Sequence, residues 1–94
     1  MTNITHEQLR VFLAVAEQGG VNAAADTLNR SPSTISHALR KLQDMLGLTL
    51  FEPRGRSLKL TESGKSLLKQ ARLVLEENQA LITLAQHLKE HERS

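Results

Sequence analysis

"RSPSTISHALRKLQDMLG", Arg30 to Gly47, is the stretch whose reading decides the fold. Ile35, Leu39, Leu42 and Leu46 recur at helical spacing, and at about 100° per residue they fall within one narrow arc. That arc has to be buried. Ser33, Ser36, His37, Arg40 and Asp44 fall on the opposite side, with Lys41 at its margin. Ser31 is a good N-cap, and Pro32 takes the first helical position, where a missing amide hydrogen costs nothing. Gly47 ends the helix. The polar face is either an ordinary wet surface or one shaped to touch something, and the flanking sequence has to decide.

Upstream, "THEQ" opens a first helix with a capping box between Thr5 and Gln8. Leu9, Phe12, Leu13 and Ala16 follow as one apolar stripe, and Gly19-Gly20 stops the helix with left-handed backbone. Asn22 is expected to cap a short second helix through "AAADTL", whose alanines allow close approach and whose Leu28 is the larger anchor. A short helix, a tight "NRS" turn and a longer helix with a polar outer face outline a helix-turn-helix.

Downstream, the period changes from helical to two. "LTLFE" and "SLKL" read as strands joined by "PRGR", with Pro53 and Gly55 as turn formers. The hairpin carries Arg54 and Arg56 at its tip and Lys59 on its second strand, well placed for phosphates or a narrow minor groove. A charged edge that blocks strand-to-strand aggregation explains one of these cations, less easily three.

Thr61 caps a last helix expected to reach about Glu90. Leu68, Ala71, Leu75, Asn78, Ile82 and Ala85 keep a 3-4-3-4-3 rhythm, the signature of a helix seam. A parallel seam at Leu67, Ala71, Val74, Asn78, Leu81, Ala85 and Leu88 is equally good. So broad a stripe exceeds what one small domain covers, which points to a partner chain. Asn78, on both seams, either fixes their register or sits at a solvated edge.

The bulk properties narrow the class. Ninety-four residues make at most one small domain, and with 2% aromatic residues its core is aliphatic. The absence of cysteine excludes disulfides and Cys-ligated zinc. No apolar run approaches the roughly 20 residues of a membrane span, and "MTNITHEQ" lacks the regions of a secretory signal. A cytoplasmic protein is expected, with no membrane partner. Charge is uneven: residues 1–29 carry −2, residues 30–72 carry +6 and residues 73–94 carry −2. A basic middle suggests a polyanion-binding surface, the alternative being chance clustering on a wet face.

With these marks in order, "GGVNAAADTLNRSPSTISHALRKLQDMLGLTLFEPRGRSLKLTESG", Gly19 to Gly64, resembles the N-terminal domain of LysR-type transcriptional regulators. The Ala-rich second helix, the Ser-containing third helix, the "Leu-Gly-x-x-Leu-Phe" passage and the basic wing ending in "Leu-Thr-x-x-Gly" carry the resemblance. It implies a mainly α fold: a winged helix-turn-helix of three helices plus a two-stranded wing over residues 1–60, then a long dimerisation helix and tail over 61–94. It implies sequence-specific binding of double-stranded DNA by a bacterial regulator, as a dimer on an interrupted palindrome, with residues 32–46 in the major groove and the wing, 53–59, at the minor groove.

The DNA contacts so implied are Asn22, Ser31, Pro32, Ser33, Thr34, Ser36, His37, Arg40, Lys41, Arg54 and Arg56. The dimerisation residues are Leu67, Leu68, Ala71, Val74, Leu75, Asn78, Leu81, Ile82 and Ala85. A tetramer and contact with RNA polymerase are candidate properties of the longer protein. The family is about three times longer than this chain, which is therefore expected to be either an excised fragment, the favoured reading, or a truncated natural product, without the effector-binding domain. No cofactor is expected in this chain; a small-molecule effector would bind that further domain. The sequence departs from the family at Pro32-Ser33, where Gln-Pro is usual, at His37, often Arg, and at Pro53, where the wing's Arg is usual. Losing a Gln and an Arg removes two bidentate readers of base edges, so base preference should differ from common members.

Enzymatic function has little support. Ser, His and Asp occur without a glycine-rich phosphate loop or nucleophile elbow. Glu76-Glu77 reads as a solvated face. His87 and His91, at i, i+4, lack a third metal ligand. A pure dimerisation module is the stronger rival, but it leaves the basic wing unexplained.

Overall fold

The computed structural model describes residues 3–93, in the order α1 (His6–Gln18), α2 (Val21–Leu28), α3 (Pro32–Leu46), β1 (Phe51–Arg54), β2 (Ser57–Leu60) and α4 (Glu62–Arg93). Helix ends follow local chemistry. Gln8 N–H donates to Thr5 Oγ1 at 3.1 Å and Thr5 N–H to Gln8 Oε1 at 2.9 Å, closing the capping box. The Gln8 carboxamide is buried, and its Nε2 also approaches Met45 Sδ at 3.7 Å. Asn29 closes α2 in left-handed backbone, φ 56°, and the amide of Arg30 donates to Ala25 O at 2.9 Å. Asparagine tolerates that conformation better than most residues, which makes the two-helix turn tight. Ser31 caps α3 with Pro32 in its first turn, and Gly47 ends it at φ 69°.

α1 is the central element. It packs against α2, α3, α4 and β2, and its most deeply buried residues are Val11, Phe12, Ala14 and Val15. The stripe expected at Leu9, Phe12, Leu13 and Ala16 is therefore only one side of a helix surrounded on several; Leu9, Leu13 and Ala16 are half-buried. Ala24 and Ala25 of α2 and Ile35, Leu39 and Leu42 of α3 close the core. Phe12 and Phe51, the chain's two aromatic residues, meet edge to face with centroids 5.7 Å apart, tying the root of the wing to α1.

The wing differs from its expected form in three places. β1 starts at Phe51, not Leu48, because residues 48–50 spend their backbone groups elsewhere. Leu50 N–H donates to Gln43 Oε1 at 2.7 Å, Thr61 Oγ1 donates to Thr49 O at 2.7 Å, and Thr61 N–H donates to Leu50 O at 3.0 Å. Pro53 lies inside β1 opposite Leu58, tolerated because a two-stranded sheet is all edge. The turn is Gly55-Arg56, with Gly55 at φ 59°, where a two-residue hairpin turn places glycine. Leu58 N–H donates to Gly19 O at 2.9 Å and fixes the wing against the end of α1.

α4 starts on Thr61, whose Oγ1 accepts from Gly64 N–H at 2.9 Å, and runs 32 residues, or about 48 Å, past Glu90 to Arg93. Its first turns belong to the core: Gly64, Leu68 and Ala71 are buried, and a Cβ on Gly64 would collide with the Leu50 carbonyl. Ser94 lies outside the described residues.

Candidate nucleic-acid interface

The apolar stripe of α3 is consumed by the core, with Ile35 and Leu42 inaccessible, so the opposite face is fixed outward. Pro32, Ser33, Thr34, His37, Arg40 and Lys41 are exposed on it, and Ser36 is half-buried. Ser31 is already employed: its Oγ accepts from Thr34 N–H at 3.2 Å and lies 2.8 Å from Thr34 Oγ1 and 3.3 Å from Ser33 Oγ. Three hydroxyls thus form one cluster at the start of α3.

Asn22 is not the cap of α2. Gly20 is, in extended backbone and without a side-chain hydrogen bond, because the helix starts two residues earlier than expected. Asn22 sits exposed in the first turn, whose amides no side chain caps. These residues form one wall of a cleft of about 480 Å³; the wing's Pro53, Gly55, Arg56, Ser57 and Leu58 form the other. Asn22 and Arg56 are thereby brought together across 34 residues of sequence. Arg54 ends β1 and is exposed, but does not line the cleft.

Ion pairing sorts the cations of the basic middle. Arg30 pairs with Glu7 at 3.5 Å, Lys59 with Glu52 at 3.3 Å, Lys65 with Glu62 at 3.3 Å and Arg72 with Glu17 at 3.7 Å. Arg40, Lys41, Arg54 and Arg56 have no acidic partner among the described residues. Lys59, a candidate from its place on the hairpin, is thus neutralised across the strand pair. The cations left free are, with Lys69, those on the outer face of α3 and the tip of the wing. No cluster of three His, Cys, Asp or Glu able to hold a metal ion occurs among the described residues. No described helix is long and apolar enough to cross a membrane.

The model of bacterial regulatory helix-turn-helix proteins of the lysR family matches residues 6–65. This chain belongs to the LysR family. It is 40% identical over 85 residues to the probable HTH-type transcriptional regulator YhaJ of Escherichia coli strain K12, covering 90% of this chain and 28% of YhaJ. It is 42% identical over 72 residues to the HTH-type transcriptional activator AllS of Klebsiella pneumoniae, covering 77% of this chain and 27% of AllS. The LysR-family chain spans about a quarter of the length of these curated relatives. Among solved structures it resembles the CbnR DNA-binding domain in its complex with DNA, with TM-score 0.85 and 33% identity over 90% of this chain and 98% of that one. The winged helix-turn-helix with a long C-terminal helix is therefore the family fold.

The family helix α4 also carries residues expected at a dimer seam, and the structure separates them. Leu68 and Ala71 are buried in the chain's own core, and Leu75 and Asn78 are half-buried. That occupancy takes Leu68 and Ala71 out of any surface open to a partner. Leu67 is half-buried, while Val74, Leu81, Ile82, Ala85 and Leu88 are exposed. Of the two seams equal in sequence, the one through Leu67, Val74, Leu81 and Leu88 is thus the more open. Leu73 and Leu84, 54% and 56% exposed, escaped the heptad reading. Their 11-residue spacing, three helical turns, was the signal that places them on one flank of the same stripe.

Proposed function

We propose that this chain is the DNA-reading module of a bacterial transcription regulator, a cytoplasmic protein without enzymatic activity that binds duplex DNA as a dimer. The observation that carries it is the coincidence of position and pairing: Arg40, Lys41, Arg54 and Arg56, left without carboxylate partners among the described residues, stand on the outward face of α3 and at the wing tip. In this reading the start of α3, with Pro32, Ser33, Thr34, Ser36 and His37, enters the major groove, where short side chains let the backbone come close to base edges. Arg54 and Arg56 reach the minor groove and its phosphates. The uncapped amides around Asn22 and the Ser31 cluster hold phosphate oxygens, as helix N-termini can. The exposed stripe on α4 joins two copies, so two reading helices meet two half-sites. Activator or repressor action, a small-molecule effector, a tetramer and contact with RNA polymerase would belong to the longer protein.

Fluorescence anisotropy tests this with an AT-rich interrupted palindrome and a randomised duplex pool at several salt concentrations. Selective binding with a steep salt dependence is expected, because each phosphate neutralised releases counterions. Ser33→Ala and His37→Ala should change which sequences are preferred. A folded chain that binds no duplex would end the reading and leave α4 as the functional part.

A further inference from the structure

We propose that Gln43 is the positioning residue that locks the wing to α3, so that the reading helix and the wing tip meet DNA as one rigid body. This rests on the DNA reading above and states what holds its two contact regions in register. β2 packs against α1 and α4. The Phe51 ring meets Phe12, and Leu58 N–H donates to Gly19 O at 2.9 Å. Both of these ties run to α1. Two points leave one rotation open, a roll of the hairpin about the line joining them.

The link to α3 runs through one residue. Among the described residues, every hydrogen bond from residues 48–61 to α3 ends on Gln43. Its main-chain oxygen accepts from Gly47 N–H at 2.8 Å and from Leu48 N–H at 3.2 Å, turning the chain at the end of the helix. Its side chain then reaches on to Leu50, whose N–H donates to Oε1 at 2.7 Å. Thr61 closes the other side, with its N–H on Leu50 O at 3.0 Å and its Oγ1 donating to Thr49 O at 2.7 Å. Those bonds join the two ends of the hairpin to each other and to the start of α4, not to α3. Leu50 thus spends its amide on the reading helix and its carbonyl on the last helix, while its side chain is fully buried.

Leverage makes this tie matter. Arg54 lies four residues beyond Leu50, about 13 Å along an extended strand. A tilt of about 15° at that root moves the tip by about 3 Å, the length of a hydrogen bond. Arg54 and Arg56 would then miss the phosphates that the α3 contacts had set within reach. Gln43 is half-buried and commits its side-chain oxygen to Leu50, so it acts on DNA through the wing.

Gln43→Ala removes the acceptor and opens room for water at the Leu50 amide. Anisotropy across a salt series should show the log–log slope reduced by about 2, as far as Arg54→Ala with Arg56→Ala reduces it. Adding those two changes to Gln43→Ala should reduce it no further. Gln43→Glu keeps an acceptor at the same reach and should restore the native slope. The chain has no cysteine, so spin labels on Asp44→Cys and Arg56→Cys, diluted into unlabelled chain, report the distance from α3 to the wing without background. With Gln43 in place, one narrow distance is expected before any DNA is added; Gln43→Ala should broaden it. A native slope in folded Gln43→Ala, or lost affinity at unchanged slope, would overturn the proposal. So would a broad distance with Gln43 present, a result that stands even where Gln43→Ala does not fold. An unsubstituted chain that binds no duplex would instead overturn the DNA reading beneath it.

Discussion

α3 and α4 are both amphipathic, yet the fold treats them in opposite ways. α3 gives Ile35, Leu39 and Leu42 to the core and keeps a polar face outward. α4 gives only Gly64, Leu68 and Ala71 and leaves Val74, Leu81, Ile82, Leu84 and Leu88 in solvent. What stays exposed indicates the kind of partner. A polar face with unpaired arginines suits a charged, hydrated ligand. An uncovered apolar stripe loses free energy to water, at roughly 25 cal/mol per Å², until another apolar surface covers it.

The contrast breaks most sharply with charge placed in the stripe. Leu81→Asp combined with Ile82→Asp should raise the dimer dissociation constant by about a thousandfold or more, read by sedimentation, while thermal unfolding of the domain stays nearly unchanged. A persistent dimer would show that α4 pairs through another face. Gly64→Ala acts on the opposite end of the helix. The added methyl meets backbone rather than a movable side chain, so a loss of about 1–3 kcal/mol is expected from overpacking. Urea unfolding measures it, and an unchanged midpoint would separate the start of α4 from the core.

Smaller effects sharpen the comparison on the polar side. Arg54→Ala with Arg56→Ala should weaken binding to every duplex and reduce the log–log salt slope by about 2, one unit for each lost phosphate contact. Arg30→Ala removes an equally basic residue, but one whose guanidinium already faces Glu7 at the surface. It should leave the salt slope unchanged and cost about 0–1 kcal/mol of stability. Equal slopes in the two variants would mean that ion pairing does not sort the cations of this domain.

Much of this was legible from local pattern. The capping box at Thr5, the Ser31-Pro32 start, the glycine stops and the 3.6-residue period of α3 each depend on residues within one or two turns of one another. The misses arose where a residue's partner is distant. "LTL" alternates like a strand, but its amides and carbonyls are claimed by Gln43 and Thr61. Asn22 has the chemistry of a cap, but Gly20 in extended backbone starts the helix first.

By itself, the sequence determined where α1 and α3 begin and end, which face of α3 turns inward and where positive charge concentrates. Those are outcomes of side-chain size, capping and spacing along one chain. Tertiary structure alone decided which of two equal heptad seams stays open, because only packing tells which side of α4 the body covers. It alone decided which cations are free, because Glu7 and Glu17 lie far in sequence from Arg30 and Arg72. Burial and ion pairing are properties of neighbours in space, and the sequence orders neighbours only along the chain.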